Sequence, residues 1–339
     1  MRVGSEYQIM SIGKMWRPES FQGGNRKRHY FEGWYFKLID ARRETVLAII
    51  PGIAIGESRA DAHAFVQVID AKTGETEYFR FPFSDFHADS RKFLVTIGKN
   101  TFSDSGIRLD LNNEHSILSG ELQFTDIDPY PKSLFHPGIM GPFSFVPGME
   151  CYHGVVNIHH KISGSLLRNG IQIDMTGGEG YIEKDWGRSF PDAWIWVQAN
   201  HFEEAGASFL FSVARIPWLG TSFTGLIAFL RTKRGFERFA TYNGGKIRSI
   251  QLEENRLDIT LTNVKHLLHF STSIPRGGIL KAPKNGLMSR EIEESITSTT
   301  SLQLLHRNGE VLFQGKSQWT GIEIAGSLSE IIDELPNKT

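Results

Sequence analysis

Apolar and polar residues alternate with period two along most of this chain, the pattern of strands buried on one face. Such runs cover Ala64 to Asp70 and Thr76 to Phe83, joined by the turn-forming Ala71-Lys72-Thr73-Gly74-Glu75. The meander continues through Lys92 to Gly98, Ile107 to Asn112 and Ile117 to Phe124. Later runs are Leu226 to Arg231 and Glu237 to Tyr242 around Lys233-Arg234-Gly235, then Arg256 to Asn263, His266 to Ser273, Ser298 to His306 and Val311 to Gln318. Only Arg290 to Ser295 and Leu328 to Leu335 read as short helices.

The pattern repeats. Trp34 opens one strand and the hairpin glycine Gly74 lies 40 residues on; Trp196 opens another and Gly235 lies 39 on. An isoleucine–proline segment follows in each half, Ile49-Ile50-Pro51 and Arg215-Ile216-Pro217. A duplicated β unit is expected. Up-and-down strands of this number remove their edges by closing into barrels. The expectation is an all-β fold of two consecutive antiparallel barrels, residues 1–170 and 171–339, and an eight-stranded barrel holds one small ligand in its lumen. Between the repeats, Asp126 to Met149 is rich in proline, glycine and aromatics, which predicts an ordered wall over a cavity mouth.

Composition narrows the function. The 37 basic and 38 acidic residues leave a net charge of −1, with no basic tract, which argues against nucleic acid as a partner. The one cysteine, Cys151, excludes an intrachain disulfide and a cysteine-based zinc site, and fits a reducing compartment. Met1 to Trp16 has neither signal nor transit-peptide character, and the apolar run Val46 to Gly56 is too short to span a bilayer. A cytoplasmic protein of bacterial type is expected, with peripheral contact to a membrane left open.

Three segments interleave acids with aromatic rings. In His29 to Lys37, alternation puts Tyr30, Glu32, Trp34 and Phe36 on one face. A carboxyl buried among rings becomes a general acid, unless it pairs with a cross-strand base. In Met149 to Val156, Glu150 and Tyr152 share one face while Cys151 and His153 share the other. The third segment runs from Glu183 to Asn200. Its first part alternates Glu183 and Asp185 against Lys184 and Trp186, and reads either as a site or as a junction with an Asp185–Arg188 pair and Trp186 plugging a barrel end. Downstream, Trp194, Trp196, Gln198 and Asn200 share a face of indoles and amides, which suits a pocket wall for an apolar ligand. The adjacent His159 and His160 point to opposite faces, which argues against a metal there.

These segments together resemble the tocopherol cyclase family: His29-Tyr30-Phe31-Glu32-Gly33-Trp34-Tyr35-Phe36-Lys37, Pro142 to Pro147 with Met149-Glu150-Cys151-Tyr152-His153-Gly154, and Gly180 to Pro191 continued by Ala193-Trp194-Ile195-Trp196. Asp185-Trp186-Gly187 also resembles the wider group of two-barrel, lipocalin-like proteins that includes carotenoid hydratases. The resemblance implies chroman-ring closure on a prenylated hydroquinone, a hydrophobic small-molecule substrate, with no redox change and no cofactor. It implies Glu32, Glu150 and Asp185 as acid or base candidates, and Trp34, Tyr152, His153, Trp186, Trp194, Trp196 and Asn200 as substrate-binding candidates. Alkene hydration and non-enzymatic carriage of a hydrophobic ligand are the alternatives.

Overall fold

The structure is a computed structural model that describes residues 12–332, apart from Asn25, Ser90, Leu219 and Gly220. It is built from two antiparallel sheets. The first holds Tyr30–Ile39 (β1), Val46–Ile55 (β2), His63–Asp70 (β3), Thr76–Pro82 (β4), Phe86–Ala88 (β5), Leu94–Ile97 (β6), Asn100–Ser103 (β7), Gly106–Asn112 (β8), Ile117–Pro129 (β9), Cys151–Arg168 (β10), Ile171–Asp174 (β11) and Glu179–Gly187 (β12). The second holds Trp194–Ala199 (β13), Ser208–Trp218 (β14), Thr221–Thr232 (β15), Gly235–Ala240 (β16), Lys246–Glu253 (β17), Arg256–Thr262 (β18), His266–Ser273 (β19), Gly278–Lys284 (β20), Leu287–His306 (β21) and Val311–Ala325 (β22).

Strand order runs β4-β3-β2-β1-β12-β10-β9-β8-β7-β6-β5 in the first sheet. Its two ends, β4 and β5, are consecutive in sequence and meet through the 3-10 turn Phe83–Asp85, so the sheet curls into a nearly closed barrel. The second sheet runs β16-β15-β14-β13-β22-β21-β19-β18-β17, and its ends meet through Thr241–Asn243. The plan is the same in both. Four strands meander outward, a 3-10 turn closes the ring, and a final strand returns to pair with the first: β12 with β1, and β22 with β13. The division expected at residue 171 falls between β10 and β11, and both β11 and β12 stay with the first sheet.

Each lumen is filled by side chains. Trp34, Phe36 and Leu38 of β1 pack with Phe93, Phe102 and Phe124 inside the first barrel. Ile195 and Val197 of β13 pack with Phe209, Phe211 and Phe270 inside the second. The outward residues of the same strands, Tyr35 and Ile39 of β1 and Trp194 and Trp196 of β13, meet in a third apolar cluster between the barrels. This explains why every residue of β13 is buried: one face fills its own barrel and the other packs on the neighbour. Among the described residues the lumens are packed, and a cavity opens instead between the barrels.

The expected helix Arg290 to Ser295 is instead part of β21. Ile292, Glu294 and Ile296 point inward while Glu291 and Glu293 are exposed, a period-two pattern that a short charged window disguised. A single helical turn forms at Ser329–Ile332, and the rest of the helix expected to Leu335 lies outside the described residues. Among the described residues, no helix is long and apolar enough to cross a membrane.

Candidate functional site

The cavity between the barrels gives water-sized molecules about 170 Å³ of room for their centres. Phe31, Gly33 and Tyr35 of β1, and Trp194 and Trp196 of β13, form opposing walls. Met140, Phe143 and Met149 cover it from the irregular segment before β10, which contains the 3-10 turn Gly141–Phe145. Five acids reach this largely apolar space: Glu150, Glu183, Asp185, Glu294 and Glu323.

Register explains how they arrive. On β12, Glu183 and Asp185 face the cavity while Lys184 and Trp186 face the first barrel's interior. His153 of β10 sits directly opposite Asp185, and its Nδ1 lies 2.9 Å from the Asp185 carboxylate. Its Nε2 is 3.7 Å from Glu183, beyond hydrogen-bond reach. Burial opposes charging of His153, but Asp185 and Glu183 outweigh it and push the imidazole up to about 9. Glu183 accepts a 2.7 Å hydrogen bond from the buried Tyr181 hydroxyl, and burial pushes its carboxyl up to about 7. The donor atoms of His153, Glu183 and Asp185 lie within 4.8 Å of one another, close enough to share a cation. A cation there would have to displace the proton that Asp185 and Glu183 favour on His153.

Glu294 and Glu323 enter from the second barrel. Trp196, Glu323 and Glu294 stand side by side on β13, β22 and β21. Glu294 accepts from the Tyr35 hydroxyl of the other barrel at 2.6 Å, and Glu323 from Trp194 Nε1 at 2.7 Å. Burial raises both carboxyls, Glu323 to about 7 and Glu294 well above the ordinary carboxylate range, and the Glu323 charge pushes Glu294 up further. Glu150 is half-buried at the cavity edge, and burial raises it too.

The expected site residues divide sharply. Glu150, Asp185, His153, Trp194 and Trp196 line the cavity. Glu32 does not. It is fully buried on the opposite face of the same sheet, 2.5 Å from Lys184 Nζ. Its carboxylate also accepts from the Gln22 and Gly23 amides at 2.8 and 2.9 Å and from the Tyr30 hydroxyl. Trp34 is core, stacked on Phe93 at 5.8 Å. Trp186 closes the end of the first barrel, stacked on Tyr152 at 5.6 Å, so neither ring reaches the cavity. Asn200 is buried against His201 at 3.1 Å. Arg188 does not pair with Asp185; its Nε donates to Asn285 at 2.8 Å and ties the inter-barrel segment to the β20–β21 turn. Gln198, on the Trp194 face, accepts at 2.8 Å from the buried Lys37 ammonium, which burial pulls down to about 7.

Sequence reasoning missed Glu183, Glu294 and Glu323 as site residues. A carboxylate between Ile292 and Ile296 on the inward phase of a strand was the available signal for Glu294. Glu323, between Gly321 and Ala325, offered none.

Residues 131–326 match the sequence profile of the tocopherol cyclase-like family. The chain belongs to that family. All five cavity acids and His153 lie inside the matched span, whereas Glu32 lies outside it. Solved structures share the fold of this tocopherol cyclase-like chain. One is a putative AttH from Nitrosomonas europaea, with a TM-score of 0.53, 15% identity and coverage of 89% of this chain and 93% of that one. Another is CghA with Sch210972, at 0.53 and 10%, covering 88% and 89%. At such identities the likeness is one of architecture: two lipocalin-like barrels in tandem.

Proposed function

We propose that this protein is a cofactor-independent enzyme that closes a chroman ring on a prenylated hydroquinone. The observation that carries this reading is a largely apolar, indole-walled cavity in which burial holds Glu183 and Glu323 towards their neutral form. A neutral carboxyl gives its proton to the less substituted carbon of the ring-proximal alkene. The tertiary cation that forms lies beside the Trp194 and Trp196 faces, each worth about 1–2 kcal/mol when desolvated. The phenol oxygen attacks that carbon, one C–O bond forms, and the phenolic proton returns to a carboxylate. Atoms and electrons balance without a redox partner. Asp185, hydrogen-bonded to His153, is placed to receive that proton. Exclusion of water by the two barrels protects the cation from quenching.

Alkene hydration is the second reading, favoured by one observation. His153 Nε2 is buried beside the cavity with no hydrogen-bond partner and could orient a water. Incubation with 2,3-dimethyl-6-phytyl-1,4-benzoquinol and related prenyl quinols separates the outcomes. Cyclisation conserves mass and removes the alkene, whereas hydration adds one water. Tight binding without turnover would mark a carrier, and no product from any quinol sinks the cyclase reading.

A further inference from the structure

Glu294 and Glu323 are directly opposed across the β21–β22 ladder and both open onto the cavity. Each carboxyl has one donor from the protein, and each donor comes from a different wall: the Tyr35 hydroxyl for Glu294 Oε1 and the Trp194 indole for Glu323 Oε2. Glu294 Oε2 is buried and receives no donor from any protein group. Its neighbour across the ladder is Glu323, directly opposite on the adjoining strand, where facing side chains stand about 4.5–5.5 Å apart at Cβ. Two bare carboxylates in that position would repel, and the buried oxygen would forfeit its whole desolvation cost. A proton between them removes both penalties.

We propose that Glu294 and Glu323 hold one proton in common and together form the general acid that protonates the substrate alkene. The deduction rests on the cyclase reading for its substrate, but the shared proton itself does not. Other charged or titratable groups face the pair. Glu183 and Asp185 on β12 bear on it from the first barrel with negative charge, Lys37 and Tyr35 on β1 flank Glu294, and Trp194 and Trp196 cover it from β13. The acids hold the proton in place, while Lys37, beside Glu294, and His153, which bears on Glu323, oppose them. Releasing the proton to an alkene carbon leaves two adjacent carboxylates, whose doubled charge faces the tertiary cation as it forms. Asp185 takes the phenolic proton as the C–O bond forms, and its return from Asp185 to the pair across the cavity closes the cycle. The division of labour follows: the second barrel supplies the acid and the first supplies the base at Asp185.

Infrared difference titration of the full chain, from about pH 5 to about pH 9, reads the shared proton without any substrate. In a Glu183→Gln background, a carbonyl-stretch band of a buried protonated carboxyl is expected, and adding either Glu294→Gln or Glu323→Gln removes it or moves its frequency and titration midpoint. A band unchanged in frequency and midpoint in either added variant overturns the pair. With a prenyl quinol that the wild type converts, each variant is expected to lose at least ~100-fold in kcat with KM little changed, and the double variant to lose no more than either single. Retained turnover in either variant overturns the acid role. Tyr35→Phe guards against variants that fail to fold. It removes a donor that favours the ionised form, so the alkaline limb of the rate profile moves up by about one pH unit. A limb that stays fixed or moves down refutes the assignment. Wild-type protein inert towards every prenyl quinol, with the band still present in the Glu183→Gln background, would sink the cyclase reading alone.

Discussion

Glu32 offers the sharpest division between a structural and a chemical acid. The carboxylate is fully buried, 2.5 Å from Lys184 Nζ, and it collects the amides of Gln22 and Gly23 as well as the Tyr30 hydroxyl. Lys184 spends its remaining donors on the Pro18 and Ser20 carbonyls, at 2.8 and 2.5 Å, and lies 4.6 Å from the centre of the Trp34 ring. The pair thus bolts the segment Pro18–Gly23 across the end of the first barrel. Glu32→Gln turns an acceptor into a donor that faces two amides, and it strands a buried ammonium. Breaking a buried pair on one side costs about 3–5 kcal/mol. At about 2–4 °C per kcal/mol for a domain of this size, the melting temperature should fall by about 6–20 °C. Glu32→Leu combined with Lys184→Met removes both charges and should recover much of that loss. Calorimetry on the three variants, with quinol turnover assayed well below each transition, is the check. Near-normal kcat per folded molecule is expected. A variant that melts like the wild type but has lost turnover would return Glu32 to the chemistry and refute the reasoning from its saturated hydrogen bonds.

Three further outcomes follow from the geometry. Gly187 has φ of 151° and a Cβ there would lie 2.1 Å from the Glu150 carbonyl oxygen, so Gly187→Ala should cost roughly 2 kcal/mol or more, read from urea midpoints. His153 is raised from 6.5 to about 9, so its contribution is complete below about pH 6.5 and lost as pH rises through 9; it amounts to about 3 kcal/mol, and His153→Asn should flatten denaturant midpoints across that window. Asp185→Asn should cut kcat by about 100-fold or more while prenyl quinol still quenches tryptophan fluorescence, whereas unchanged turnover would restrict Asp185 to positioning His153.

Much of the fold was legible because strands announce their faces. Alternation alone put Glu183 with Asp185 and opposed them to Lys184 and Trp186, as β12 does. Alternation also grouped Trp194, Trp196 and Gln198 on the face that meets the other barrel. Which face looks into a lumen is a different kind of fact. Glu32 and Asp185 occupy neighbouring strands, with Glu32 opposite Trp186 and Gly33 opposite Asp185, and that one-residue offset sends the two acids to opposite sides of one sheet. No local signal in His29 to Lys37 carries it. The bond between Tyr35 and Glu294 joins residues 259 positions apart, so it depends on the closure of both barrels and on how they dock. Glu294 was hidden further by the exposed Glu291 and Glu293 beside it.

The placement of the cavity has a mechanical consequence. Among the described residues the two sheets share no ladder, so the seam between them is stitched mainly by side chains, with backbone hydrogen bonds such as Phe190 to Pro283 and Gly286 to Arg188 gathered near the strap that links the barrels. A lumenal site would have to part strands, and with them a row of cooperative hydrogen bonds, to admit a bulky tail. Here the guest lies against a seam of side chains, so a bulky tail is accommodated without breaking the ladder of either barrel. The length of guest the protein accepts is then set by the side chains of that seam rather than by the girth of either barrel.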